Sequence, residues 1–123
     1  MNLLLDTLVV IWWDEGKRLL SGAQVAIREA EEVFVSSASA WEIAIKAGLG
    51  RLRPTRRLRD AVAESGFTEL PVSFAHAERI GQLPNHHRDP FDRLLIAQAL
   101  EEGLTVVTRD PAFVGYGVPV IPA

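Results

Sequence analysis

Four carboxylates in this 123-residue sequence stand where an acid can do chemistry. Asp6 ends the apolar run Leu3-Leu4-Leu5, and Asp110 follows Val106-Val107-Thr108-Arg109. Glu42 comes early in the segment after Val33-Phe34-Val35, and Asp92 opens the segment that leads to Val106. Brought together, they need cations, because two carboxylates about 4 Å apart repel by roughly 4 kcal/mol at an effective dielectric near 20. The chain has no cysteine, and His86 and His87 lie in the loop before Asp89. Such an oxygen-rich set suits Mg²⁺ or Mn²⁺. Those ions bridge phosphate oxygens and activate water, which is the chemistry of phosphodiester hydrolysis without a covalent enzyme intermediate.

Each acid also has a purely structural reading. Asp6 before Thr7, and Asp110 before Pro111, fit helix N-caps, worth roughly 1 kcal/mol each. The tripeptide Arg-Asp-Pro occurs twice, at 88–90 and 109–111. With Asp89 as cap and Pro90 first, Asp92 falls third and mimics a capping box. Glu42 has the apolar neighbours Trp41, Ile43, Ala44 and Ile45, so an exposed acidic face is hard to draw, and it should point into something specific. The two tripeptides differ in place: one follows a long loop and the other leaves a strand. Asp89 is therefore read as a cap with its charge near the site, and Asp92 and Asp110 as ligands that can also serve a helix terminus.

The elements that must position these acids alternate. NLLLD, EVFVS, LTVVTRD and the Pro-bounded VPVIP read as strands, the last at an edge, and GFTELPV adds a short extended piece. Helical stretches run from Thr7 to Trp13, Ser21 to Ala30, Ser37 to Ala47, Thr55 to Glu64, Ser73 to Gln82 and Phe91 to Glu102. Near-continuous apolar strands between helices predict an α/β fold, a mainly parallel sheet of four to five strands covered on both faces. In such sheets ligands bind outside the carboxyl ends of the strands, where all four acids would gather. The length fits one domain over residues 1–123 with a core of its own.

Composition narrows the class. Apolar residues at 48% and charged ones at 24% describe a globular chain. The longest wholly apolar run, Leu8 to Trp13, falls far short of the ~20 residues needed to cross a membrane. No basic flank marks a secretory signal, so a cytoplasmic protein is expected. Net charge is −3, yet Lys46, Arg51, Arg53, Arg56, Arg57 and Arg59 form a run with no acid among them, able to meet phosphates or to form a solvated face. His76 reads as a helix-surface residue, and Phe113 and Tyr116 as anchors of the last loop. Trp12 and Trp13 turn in different directions, one to the core and one to a partner surface.

LLLDT, VSSASAWEIAIK with GLG after it, HHRDPFDRLLIAQA and TVVTRD with its trailing Phe, Tyr and Val-Ile together resemble the PIN-domain ribonucleases, specifically the VapC-type toxins of bacterial toxin–antitoxin pairs. The resemblance runs from Asn2 to Ile121 and implies a PIN-like three-layer fold with Mg²⁺ or Mn²⁺ at an acidic quartet matched by Asp6, Glu42, Asp92 and Asp110. It also implies an RNA substrate, a homodimer and a cognate antitoxin that blocks the groove. On that footing Asp6 and Asp92 hold the main metal, with Asp110 and Glu42 completing its hydrated surroundings and a second, transient ion. Thr7, Ser39 and Thr108 are hydroxyls placed to orient these acids, or to make ordinary local hydrogen bonds. Lys46, Arg51, Arg53, Arg93 and His87 are the RNA-binding candidates. One departure is Leu8, where many relatives with the DPFDR pattern carry histidine. Leu8 also argues against a dehalogenase-like phosphotransferase, which needs an acid there, and Arg109 argues against a phosphorelay receiver, which needs lysine. A nonenzymatic RNA- or partner-binding module and a housekeeping nuclease of the same fold remain as alternatives.

Overall fold

A computed structural model describes residues 1–123. The chain order is β1 (Asn2–Leu5), α1 (Thr7–Asp14), α2 (Ser21–Glu29), β2 (Glu32–Ser36), α3 (Ser37–Gly48), α4 (Leu58–Glu64), β3 (Thr68–Leu70), α5 (Phe74–Arg79), α6 (Pro90–Glu102), β4 (Thr105–Thr108) and β5 (Val120–Pro122). Short 3₁₀ turns occupy Ile80–Gln82 and Pro111–Phe113. All strand pairs are parallel, in the order β3-β2-β1-β4-β5, and β5 lies at the expected edge.

Alternation along the strands divides the interior into two cores. Leu3, Leu5, Val33, Val35 and Val107 pack with Val9 and Val10 of α1 and with Ala23 and Ile27 of α2. Leu4 and Val106 point the other way, onto Leu95, Ile96 and Ala99 of α6 and onto Phe113 and Tyr116 of the last loop. The result is three layers, with helices on both faces of the sheet.

The sheet order places the topological switch between β1 and β4, since the chain grows from β1 to one side and then returns to the other. The register Leu5↔Val107 aligns the carboxyl ends of these two strands, and the Asp6 N–H continues the ladder to the Val107 carbonyl at 3.0 Å.

Two helices are shorter than their patterns predict. The helix expected from Thr55 begins at Leu58, its first apolar residue, and the Arg56 side chain before it is drawn to Asp14 and Glu64. The stretch expected from Ser73 to Gln82 is α-helical only over Phe74–Arg79 and tightens to 3₁₀ at Ile80–Gln82, around Gly81.

His76 is a correction: it is buried at 1% exposure, not on the helix surface. Ser73 caps α5 by accepting the His76 N–H, and His76 Nδ1 accepts the Ser73 N–H in return, so a histidine fills the third position of a capping box. Its Nε2 meets Glu102 Oε1 at 2.8 Å, which ties α5 to the end of α6. Trp12 and Trp13 turn to different neighbours, as expected. Both are half-buried, Trp12 beneath the Arg109 guanidinium at 4.2 Å and Trp13 against Phe67. A further exposed apolar row lies on α3 and its C-cap, at Trp41, Ile45 and Leu49, with Phe91 against Trp41.

Candidate active site

Asp6 leaves β1 at the N-cap position of α1, yet its side chain makes no capping hydrogen bond. Its Oδ2 accepts instead from Thr108 Oγ1 at 2.7 Å, across the switch point. Thr108 Oγ1 in turn accepts the Asp110 N–H at 3.0 Å. One hydroxyl at the end of β4 therefore sets both the Asp6 carboxylate and the backbone that carries Asp110.

The two Arg-Asp-Pro tripeptides both end in caps. Asp89 Oδ1 accepts from Phe91 N and Asp92 N at the start of α6, and Asp110 Oδ1 accepts from Ala112 N at the 3₁₀ turn. Asp110 Oδ2 has no hydrogen-bond partner, so that acid caps with one oxygen and keeps the other. The capping-box role expected for Asp92 is not adopted. Its carboxylate does not reach back to the Asp89 N–H but turns to the site, where Oδ2 lies 2.8 Å from His87 Nε2.

Glu42 is buried in the first turns of α3, as its apolar neighbours led us to expect. Both its oxygens are engaged: Thr7 Oγ1 donates to Oε1 at 2.7 Å, and Lys46 Nζ, one turn on, donates to Oε2 at 2.5 Å. Ser39 shares a hydrogen bond with Thr7 at 2.8 Å, so the three hydroxyls singled out from the sequence all reach Asp6 or Glu42, directly or through one another.

The electrostatics follow from burial. Loss of water pushes the Asp6 carboxyl up to about 6, helped by the charges of Glu42 and Asp110 and opposed by the Thr108 hydrogen bond. Burial pushes Asp92 up to about 7, opposed by the His87 hydrogen bond and helped by Asp6, Asp89 and Glu42. Lys46 is the cation facing these acids. Its hydrogen bond to Glu42 holds its ammonium above the usual lysine range, and the charges of Asp89 and Asp92 add to this.

The basic run is less free than the sequence implied. Lys46 pairs with Glu42 one turn before it and Arg57 with Asp60 just past the run, while the fold brings Asp14 and Glu64 to Arg56. Arg51 and Arg53 remain exposed, beside Leu8, Trp12 and Lys17 on a concave surface. Arg93, an RNA-binding candidate, braces the site's loop in this structure. Its guanidinium donates to the carbonyls of Ile80, Pro84 and His87, which pins the loop before α6.

Sequence reasoning undervalued His87. Potential ligand atoms of His87, Asp92 and Asp110 lie within 4.8 Å of one another. The signal was local: Asp89 caps α6 while Arg93, four residues on, grips the preceding loop, and the two together fold His87 back over the first turn.

The PIN domain family matches residues 3–118. Ribonuclease VapC22 of Mycobacterium tuberculosis is 34% identical over 118 residues, covering 89% of this chain and 87% of that one. Among solved structures, DNA-bound VapBC from Salmonella typhimurium superposes with a TM-score of 0.74 at 21% identity, covering 99% of this chain and 98% of the other. VapBC2 from Rickettsia felis, bound to a promoter DNA fragment, gives 0.73 at 14% identity, covering 99% and 98%. With the switch-point acids in place on this sheet, the chain belongs to the PIN-domain family, in its VapC branch.

Proposed function

We propose that the chain is an Mg²⁺- or Mn²⁺-dependent endoribonuclease, the toxin of a toxin–antitoxin pair, hydrolysing RNA phosphodiester bonds with water as the nucleophile. The observation that carries this reading is the pair Asp6 and Asp92, two buried carboxylates pushed up to about 6 and about 7 at the switch point of the sheet. A structural acid buried in this way gains nothing for the fold, whereas a divalent cation removes the repulsion. The donor set fits such an ion: Asp6, Asp92 and Asp110 each have a carboxylate oxygen without a hydrogen-bond donor. Glu42, with both oxygens engaged, orients what lies between the acids rather than gripping an ion itself.

When bound there, a divalent ion supplies positive charge against phosphate oxygens and makes water a better nucleophile. The chain's own residues do the positioning. Thr108 aims Asp6, Thr7 aims Glu42, and the Asp89 cap fixes the start of α6 and so the Asp92 carboxylate. Lys46 lies beside the acids, where its ammonium can also meet the RNA backbone, and Arg51 and Arg53 extend that cationic surface.

A VapB-like antitoxin and a second copy of the chain are the partners of this reading, and the exposed row Trp41, Ile45 and Leu49 is a surface they would cover. No helix is long and apolar enough to cross a membrane, and the proposed workplace is the cytoplasm. The test is cleavage of a mixed RNA pool by the purified chain with Mg²⁺, Mn²⁺ or EDTA, beside Asp6→Asn and Asp92→Asn. Metal-dependent cutting lost in both variants is the expected result. Cutting that survives EDTA, or both substitutions, would remove the reading.

A further inference from the structure

We propose that His87 is itself a ligand of the ion at this site, and that its imidazole nitrogen makes the site favour Mn²⁺ over Mg²⁺. The inference rests on the reading that these acids hold a divalent ion, and it goes beyond that reading in naming a nitrogen donor.

Three observations carry it. First, His87 Nε2 lies 2.8 Å from Asp92 Oδ2. Neighbouring donors on one octahedral ion with bonds of about 2.1 Å are about 3 Å apart, so the hydrogen-bonded contact already has nearly the span of two ligands sharing an ion. Second, Asp110 comes from just past β4, yet donor atoms of His87, Asp92 and Asp110 lie within 4.8 Å of one another. Third, the histidine is held there. Arg93 donates to the His87 carbonyl at 3.4 Å and to the Pro84 and Ile80 carbonyls, and Asp89 fixes the first turn of α6 that carries Asp92. A loop histidine serving only as polar surface needs no such bracing.

The chemistry then follows. Mg²⁺ is a hard ion that takes oxygen ligands and keeps its waters, whereas first-row transition ions accept imidazole readily. Among oxygen donors alone the two ions compete closely. One nitrogen in the set shifts the balance toward Mn²⁺.

The experiment uses the full chain and the ions alone, with no RNA. Affinities for Mn²⁺ and Mg²⁺ are measured by equilibrium titration for wild type, His87→Ala, His87→Gln and Asp92→Asn. Pulsed electron paramagnetic resonance on bound Mn²⁺ reads whether a nitrogen is directly coordinated, and thermal melts confirm that each variant is folded. Expected are a strong ¹⁴N coupling in wild type that both His87 variants lose, a fall of about tenfold or more in Mn²⁺ affinity, and a change of less than about threefold for Mg²⁺. A coupling that persists in the variants, or an Mn²⁺-to-Mg²⁺ ratio that does not move, overturns the proposal. So does weaker metal binding in a wild type with no direct ¹⁴N coupling, which would leave His87 as a residue that only positions Asp92. If wild type binds neither ion, or Asp92→Asn binds Mn²⁺ as wild type does, the metal reading beneath it fails instead.

Discussion

Thr108 Oγ1 donates to Asp6 Oδ2 at 2.7 Å across 102 positions of sequence, and the same oxygen accepts the Asp110 N–H at 3.0 Å. The hydroxyl thus joins the first and last acids of the site at the point where β1 and β4 run side by side. Its position follows from the register of the sheet, because Leu5 opposite Val107 brings Asp6 level with Thr108.

Thr108→Val keeps the shape of the side chain and removes both bonds. An outer partner of a metal-binding group typically contributes about 10- to 100-fold to affinity or activity, and cutting should fall by that much. The unpaired Asp110 N–H adds about 1–3 kcal/mol of lost stability. Thr108→Ser should restore most of both. RNA cleavage rates and urea melts for the two variants decide the matter, and a fully active valine variant would reduce Thr108 to local packing.

Stability of the metal-free chain should depend on pH in an uncommon direction. Asp6 and Asp92 rise from 3.8 to about 6 and about 7 in the fold, so the native state holds protons that the unfolded chain releases. Their contribution is complete below about pH 4 and is lost as pH climbs through 6 and 7. For Asp6 alone, a rise of about two units corresponds to roughly 3 kcal/mol. In EDTA, wild type should therefore lose more stability between pH 5 and pH 8 than Asp6→Asn does, and saturating Mn²⁺ should reverse that difference. Parallel melting curves for wild type and Asp6→Asn across this range would show that the carboxyl is not raised.

The acids on either side of Pro90 and Phe91 should separate a cap from a site residue. Asp89→Ala removes the acceptor of two backbone N–H groups and should cost about 1 kcal/mol, with less than about a tenfold loss of cutting. Asp92→Asn removes a buried charge that burial already disfavours, so at pH 8 without metal it should melt no lower than wild type while losing cleavage altogether. Opposite ranking of the two variants, in melting and in turnover, would reverse the assignment.

Much of this was legible in the sequence. The apolar runs before Asp6 and Asp110 announce strands, and their acids fall at strand ends as that pattern requires. Asp89 with Pro90 announces its cap. What stayed hidden depends on long-range approach. Glu42, four residues before Lys46, announces a helical pair, but nothing around Lys46 shows that Asp89 and Asp92 will reach it too, since they do so only when α3 and α6 pack together. The arginines of residues 51–59 look like a free basic run because Asp14 and Glu64 lie elsewhere in the chain. His87 differs in that its cause is local, and it becomes legible once Arg93 is known to turn back on its own loop.

His76 was misread for the same reason, and its cost can be measured. A histidine between Ala75 and Ala77 on a six-residue helix looks solvated, yet its ring sits between the Ser73 backbone and Glu102, with the Gln98 amide 3.3 Å from Nδ1. His76→Ala loses the reciprocal half of the cap and leaves the Ser73 N–H without its acceptor, and it should destabilise the fold by roughly 2–3 kcal/mol. Ser73→Ala should cost about 1 kcal/mol. Because the two residues share one capping box, the double variant should be less destabilised than the sum, by more than about 0.5 kcal/mol. Ser73 caps α5 and His76 lies on it, away from the switch-point acids, so RNA cleavage per folded molecule should be unchanged. Urea denaturation of the four proteins gives the coupling energy, and strict additivity would mean that the ring contributes by packing alone.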